Sequence, residues 1–241
     1  MLILAGFTGS TLNVAFFIFG IQYTNTMDSQ AIFSAGPVVN AILAHFVLKE
    51  RISLIQACGV ALGFFGAVVI TTRTFFETGH LSQGNLFGDL LILISSLSWV
   101  VYIIISKRLS KNYAPQTITL YSFFIGAIAF SPLALFEYVS DTSWVNTISQ
   151  VGVYGIIYQG IFASVIAFLA YQIGIKLTSA FMAGVVLYLQ PIATTVFAVP
   201  ILGEKITAPF ILGTTLIILG SIVASQHEFV RNHVRRRLSR F

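Results

Sequence analysis

Two stretches of this chain carry one pattern at a fixed separation of 154 residues. Residues 37–66 read PVVNAILAHFVLKERISLIQACGVALGFFG, and residues 191–220 read PIATTVFAVPILGEKITAPFILGTTLIILG. With no gap, Pro37 falls on Pro191, Leu48 on Leu202, Glu50 on Glu204, Ile52 on Ile206, Gly59 on Gly213, Leu62 on Leu216 and Gly66 on Gly220. Upstream the register continues, with Gly6 on Gly160, Ser10 on Ser164, Gly20 on Gly174 and Thr24 on Thr178. Apolar matches arise easily in an apolar chain; a proline, a glutamate and four glycines in one frame do not. A repeat of this kind constrains the fold before any local element does.

What each unit can be depends on its solvent. The chain is 56% hydrophobic and 9% charged, against roughly 25% charged in a soluble domain. So few charges cannot cover a surface in water, so lipid is the expected solvent, and the 22 phenylalanines suit helices that face it. The lone Cys58 excludes an internal disulfide and a multi-cysteine metal site. Inside an apolar run it reads as a packing residue with a protonated thiol. The basic balance is local: Arg231, Arg235, Arg236, Arg237 and Arg240 form a tail. Such a tail sets orientation or meets anionic lipid, and nucleic acid is not an expected partner. No basic segment precedes the first apolar run, so the start does not read as a signal peptide.

Apolar runs cover about 2–23, 27–48, 53–72, 86–107, 116–138, 150–174, 179–202 and 207–226. Each approaches the ~20 residues a helical span needs, and none alternates as a barrel strand would. The expected fold class is an all-α integral membrane protein with eight transmembrane helices. With both termini cytoplasmic, the inside holds Lys49, Arg51, Lys107, Arg108, Lys111, Lys176 and the tail arginines. The outside keeps only Arg73 and Lys205, as the positive-inside rule requires. The Lys49-Glu50-Arg51 turn is then inside and its copy, Glu204-Lys205, outside. The copies are therefore inverted, which demands an odd number of helices per unit, here five.

The domain reading follows: 1–72 a partial first repeat of three helices, 73–85 a connecting loop, 86–226 a complete five-helix repeat, and 227–241 a basic cytoplasmic tail. Partners for the runs at 86–107 and 116–138 would precede Met1 and occupy roughly 70–80 residues. A chain truncated at its N-terminus is favoured over a genuine eight-helix variant.

These residues resemble the EamA-type branch of the drug/metabolite transporter superfamily. The likeness rests on a proline, a Glu-Arg/Lys pair thirteen residues on, and two later glycines. They stand here as Pro37/Glu50/Arg51/Gly59/Gly66 and Pro191/Glu204/Lys205/Gly213/Gly220. The segment GDLLILISSLSWVVYIIISKRL at Gly88–Leu109 is similar to the opening of that family's second repeat. The resemblance covers almost the whole chain and implies two inverted five-helix repeats and transport of amino acids, other metabolites or drugs, most often outward. It also implies a plasma-membrane location. The chain departs from the family in lacking the first two helices, which help line the central path.

The candidate residues fall into groups. Pro37 and Pro191, read near the middle of their helices, each remove a backbone hydrogen bond; paired hinges and fixed packing kinks weigh equally. Glu50 and Glu204 read first as interfacial ion pairs that steady a turn and the following helix N-terminus, and second as gates at the two mouths. Gly59, Gly63 and Gly66, with Gly213 and Gly220, form small stripes for close packing, within the chain or between protomers, so a homodimer stays open. Asp28 and Asp89 lie at helix ends, and His45 reads as an interfacial histidine before a proton relay. Asn13, Asn40, Trp99, Tyr102, Tyr171, Tyr188 and Gln190 are the substrate-path candidates, each more readily explained singly by packing. As a set they suit a neutral, zwitterionic or aromatic-tolerant solute in a mostly apolar pocket. The expected function is a secondary transporter working by alternating access, in contact with the bilayer and a small-molecule substrate, with no cofactor, metal or catalytic residue assigned. The rivals are a non-transporting remnant or accessory subunit and, less favoured because no HExxH, GxSxG or buried carboxylate pair occurs, a membrane enzyme.

Overall fold

The computed structural model describes residues 1–24, 29, 32–71, 86–140, 142–143, 148–190, 193 and 208–238, and among these every regular element is helical. Helix α1 spans Leu2–Gly20, α2 Gly36–Leu48, α3 Leu54–Thr71 and α4 Leu86–Leu109. Helix α5 spans Pro115–Ser140, α6 Gln150–Leu177, α7 Ala180–Leu189 and α8 Ala208–Leu238. Among the described residues five stretches are long and apolar enough to cross a bilayer: α1, α4, α5, α6 and Ala208–Ser225 of α8. Ile32–Leu48, Leu54–Val69 and Ala180–Leu189 are shorter apolar helices. The chain is thus a membrane protein whose described elements are all helical. Eight full crossings do not follow from the described residues alone, since the shorter helices fall below the ~20 residues of a span.

Pro37 corrects one expectation. It stands in the first turn of α2, not at mid-helix. Residues 32–34 are helical, Ala35 forms a turn, and the N–H groups of Val38 and Val39 both reach the Ala35 carbonyl at 3.1 Å. A ring that removes the N–H and collides with the carbonyl four residues back is tolerated at a helix start, so the helix is interrupted there. Pro191 and Glu204 lie outside the described residues, as does Asp28.

Close contacts fix the helix directions. Along α1, Gly9 meets Tyr102 and Gly20 meets Ile92, so α1 and α4 are antiparallel; Gly6 meets Ser122 and Ile125 while Ser10 meets Gly126, so α1 and α5 are parallel. Helices α3 and α8 make the most extensive helix contact among the described residues. A Cβ on Gly59 would stand 2.5 Å from the Ala224 nitrogen, one on Gly66 2.6 Å from the Gly213 oxygen, and one on Gly220 2.5 Å from the Gly63 nitrogen. Only bare backbones approach this closely in lipid. Under the 154-residue offset, the Gly59–Gly220 contact maps onto Gly213–Gly66. The glycine stripes therefore face each other within one chain.

The same register marks an uncommon backbone feature. Residues Phe7–Leu12 of α1 and Gln159–Ala167 of α6 are wound as π-helix, which is rare and favours functional positions. Moved by the offset, the first segment falls inside the second.

Charged helix ends gather at one end of the bundle. Helices α2, α4 and α6 finish there, and the turns that follow carry Lys49, Arg51 and Lys111, with Lys107, Arg108 and Lys176 in the last helical turns. Ala5 near the start of α1 packs with Leu109 there, and Ala224 of α8 lies beside Gly59 near the start of α3. The beginning of α1 and the C-terminal part of α8 therefore share this end, called here the basic end. At the opposite end Thr24 donates to Asp89, and Tyr23 packs on Phe87.

Candidate functional site

Four elements enclose a cavity of about 250 Å³ midway along the bundle. Asn13 and Phe17 come from α1, Phe33 and Gly36 from the entry to α2, Ser96, Trp99 and Val100 from α4, and Leu187 and Gln190 from the end of α7. Three aromatic rings and three polar side chains line it, and among the described residues none that lines it is charged.

Each wall is held by a nameable interaction. Asn13 Nδ2 donates to the Ser95 carbonyl at 3.0 Å and to Ser95 Oγ at 3.1 Å, while Ser95 Oγ donates to the Asn13 carbonyl at 2.8 Å. Both amide hydrogens are used in joining α1 to α4, so Oδ1 is the group Asn13 has left to offer. Trp99 is stacked on Tyr171 with centroids 5.6 Å apart, tilted on Tyr102 at 5.1 Å, and edge-on to Phe168 at 5.9 Å. Tyr171 is tethered in turn, its hydroxyl donating to the Ala183 carbonyl at 2.9 Å. Gln172 Nε2 donates to the Tyr102 hydroxyl and, at 3.0 Å, to Ser106 Oγ. Tyr102 and Tyr171 therefore back the cavity wall rather than line it.

The remaining path candidates lie elsewhere. Asn40 is fully buried and donates to the Ala180 carbonyl at 2.7 Å. Tyr188 donates to the Val60 carbonyl at 2.9 Å, and its ring lies against Gly63. These two join α7 to α2 and α3. Of seven residues singled out in sequence, the structure brings Asn13, Trp99 and Gln190 to one cavity, puts Tyr102 and Tyr171 behind it, and gives Asn40 and Tyr188 to helix packing.

Between the cavity and the basic end the helices are clamped by charges on helix termini. Glu50 does not pair with Lys49 or Arg51. Its Oε1 accepts from the Ala180 N–H at 3.0 Å and its Oε2 from the Phe181 N–H at 3.1 Å. Ser179 Oγ accepts from the Met182 N–H at 3.1 Å, so the first N–H groups of α7, which have no intrahelical partner, are met by a hydroxyl and a carboxylate at the positive end of the helix dipole. The expected service to the following helix is also corrected: α3 has its own capping box, with Ser53 Oγ accepting from Gln56 N at 3.3 Å and Gln56 Oε1 from Ser53 N at 3.0 Å.

Two cations complete the clamp. Lys107 Nζ donates to the Ile175 carbonyl at 2.8 Å, to that of Lys176 at 3.3 Å and to that of Thr178. Arg108 Nη2 donates to the Val47 carbonyl at 2.9 Å. They sit at the negative ends of α6 and α2, where cations are favoured. Sequence reasoning counted both only toward orientation and passed over Gln172, Phe17 and Phe33. A glutamine beside Tyr171 in an apolar span was a usable signal; nothing marks two phenylalanines out of 22. His45 lies exposed at the basic end, its Nδ1 3.0 Å from the Glu50 carbonyl oxygen. Cys58 is exposed on α3, so it faces outward from the protein rather than packing inside it.

The profile of the EamA-like transporter family matches residues 1–72 and 86–226. An uncharacterized transporter of Clostridium kluyveri is 29% identical over 222 residues, covering 92% of this chain and 70% of its own. The uncharacterized transporter YyaM of Bacillus subtilis is 30% identical over 217 residues, covering 88% and 68%. A WAT1-related protein of Arabidopsis thaliana is 29% identical over 234 residues, covering 88% and 61%. One solved crystal structure superposes with a TM-score of 0.78 over 98% of this chain and 77% of the other at 20% identity, a likeness of fold.

Proposed function

Since the chain belongs to the EamA-like transporter family, we propose that it moves small organic solutes by alternating access, most readily neutral or zwitterionic metabolites such as amino acids, in the direction of efflux. The observation that carries this reading is the cavity of about 250 Å³, uncharged among its described lining residues, with Trp99, Asn13 and Gln190 on its walls. It is somewhat smaller than the roughly 300–1,000 Å³ of drug-sized sites, so a metabolite suits it better than a drug. Its aromatic faces and amide groups offer stacking and neutral hydrogen bonds, and none of its described lining residues is a cation for a phosphate.

In this scheme the basic end is cytoplasmic, both termini lie there, and the membrane is the plasma membrane. Eight spans form an inverted three-plus-five repeat. The structure then corresponds to the cytoplasmically closed state, with Glu50, Lys107 and Arg108 holding helix ends together. Opening toward the cytoplasm breaks the Glu50 cap on α7, and Pro37, with no N–H to lose, is the hinge at the α2 entry. By the repeat, Glu204 and Pro191 take the corresponding parts at the other mouth.

The test is counterflow in proteoliposomes. Labelled neutral and zwitterionic amino acids are compared with sugar phosphates. Saturable exchange of the former, cut at least tenfold by Trp99→Leu in a normally inserted protein, is expected. Sugar-phosphate exchange, or indifference to Trp99→Leu, sinks the assignment. A second reading, an accessory unit that works only with further helices, is favoured by α6, where a Cβ on Gly155, Gly160 or Gly174 would meet nothing within 4 Å. Its signature is a correctly folded chain that exchanges no solute alone.

A further inference from the structure

Helices α2 and α3 diverge on the outer face of the bundle and leave a cleft of about 550 Å³. Val38, Ile42 and Phe46 of α2 and Ala57, Ala61 and Phe64 of α3 line it, and His45 is the sole ionisable group among its described lining residues. Along α2 it extends from Ala35 to Phe46, which at 1.5 Å per residue is about 16 Å. A bilayer core is ~30 Å thick. The cleft is therefore one leaflet long.

Toward the basic end His45, Phe46 and Ile52 line it, and the turn between them, which joins α2 to α3, exposes Lys49 and Arg51. Their acidic neighbour Glu50 is committed to the start of α7. Among the described residues neither cation takes part in a hydrogen bond or ion pair. Backbone geometry gives an independent reason to single out Lys49. It has φ 57° and ψ 31°, and it is the only non-glycine with positive φ among the described residues. Glycine adopts this conformation freely, whereas a Cβ disfavours it. The matching position of the second copy carries Gly203. An αL residue commonly ends a helix, and Lys49 ends α2 in this way; where the second copy uses glycine for that stop, this copy places a cation next to the turn.

We propose that the α2–α3 cleft binds an anionic phospholipid, one acyl chain lying along Val38, Ile42, Ala61 and Phe64 and the phosphate held by Lys49 and Arg51. A juxtamembrane cation pair attracts an anionic headgroup, and the apolar cleft above it gives that lipid a defined seat instead of a diffuse annulus. The site is separate from the transport cavity and stands whatever the transported solute is.

The full-length chain is purified in detergent and titrated with dioleoyl phosphatidylglycerol or dioleoyl phosphatidylcholine, with binding followed by native mass spectrometry and by the thermal midpoint, which a ligand of the folded state raises. Phosphatidylglycerol is expected to bind at least tenfold more tightly. Lys49→Gly and Arg51→Gln should each reduce that preference severalfold, and the pair should abolish it. Because glycine suits the backbone at position 49, Lys49→Gly should lose lipid preference without losing lipid-free stability. Phe64→Trp adds a reporter in the cleft, and brominated-chain phosphatidylglycerol should quench the added fluorescence. Equal binding of the two lipids, preference retained in the double variant, or an unquenched reporter overturns the proposal. So does competition by inorganic phosphate, which marks a free-anion site, or cross-linking of two chains through Cys58 with loss of lipid, which marks a second copy as the occupant.

Discussion

Glu50 stands between two cations in sequence and uses neither, because two unpartnered N–H groups of α7 are a better destination for a half-buried carboxylate than a mobile lysine in water. Caps of this kind contribute about 1–2 kcal/mol. Glu50→Gln, which keeps one good acceptor, should lower the thermal midpoint in detergent, and Glu50→Ala should lower it further; a midpoint unchanged in Glu50→Ala would show the cap to be idle. Asn13 and Asn40 separate two roles that look alike in sequence. Asn13→Ala should raise the KM for the transported solute severalfold, since Asn13 lines the cavity. Asn40→Ala should leave KM alone and cost about 1–3 kcal/mol of stability, because the fully buried side chain that ties α2 to the Ala180 carbonyl is lost. Transport kinetics paired with detergent melts distinguish the two, and the converse pattern would exchange their assignments. The sequence made the polar residues of the spans visible but not their directions. A helix that is apolar all round, as a lipid-embedded one is, has no polar face to say which side is inward. Asn13, Asn40 and Tyr188 were therefore equivalent until packing distinguished them.

At the scale of elements, the glycines were legible as a stripe, and their destination was not. Gly59, Gly66, Gly213 and Gly220 matched across the repeat, but only the antiparallel approach of α3 and α8 shows that the two copies grip each other through them. The break at Pro37 was legible as a break and misplaced, because the apolar run continues through Ile32–Ser34 while the backbone turns at Ala35. Repeat-mates also find unequal surroundings. A Cβ on Gly6 would lie 2.9 Å from Ile125 Cβ and 3.1 Å from Ser122 Cα, whereas one on its counterpart Gly160 would meet nothing within 4 Å. Gly6→Ala should therefore cost about 1–3 kcal/mol through overpacking, and Gly160→Ala should gain up to roughly 1 kcal/mol from reduced backbone freedom. Thermal midpoints of the two variants should move in opposite directions. A loss of stability in Gly160→Ala would mean that another helix covers that face in the membrane.

At the scale of the whole molecule, the apolar runs were readable because lipid demands them, and the basic residues were readable as a one-sided set because orientation depends on it. What stayed hidden was how that set is divided. Lys107 and Arg108 close helix ends, while Lys49 and Arg51 remain exposed, and composition weights all four alike. The division matters for topology, since a cation capping a carbonyl in the bundle cannot be carried across the membrane without unmaking that bundle. The alternating helix directions place Arg51 and Asn112 at one end and Thr142, which follows the C-terminus of α5, at the other. In a Cys58→Ser background, Arg51→Cys and Asn112→Cys should react with a membrane-impermeant maleimide only after cells are permeabilised, and Thr142→Cys should react before. The reverse pattern would keep the helix directions and invert the assignment of the basic end to the cytoplasm. Reaction of Asn112→Cys and Thr142→Cys from the same side would contradict the directions themselves, because α5, which joins those positions, would then not cross.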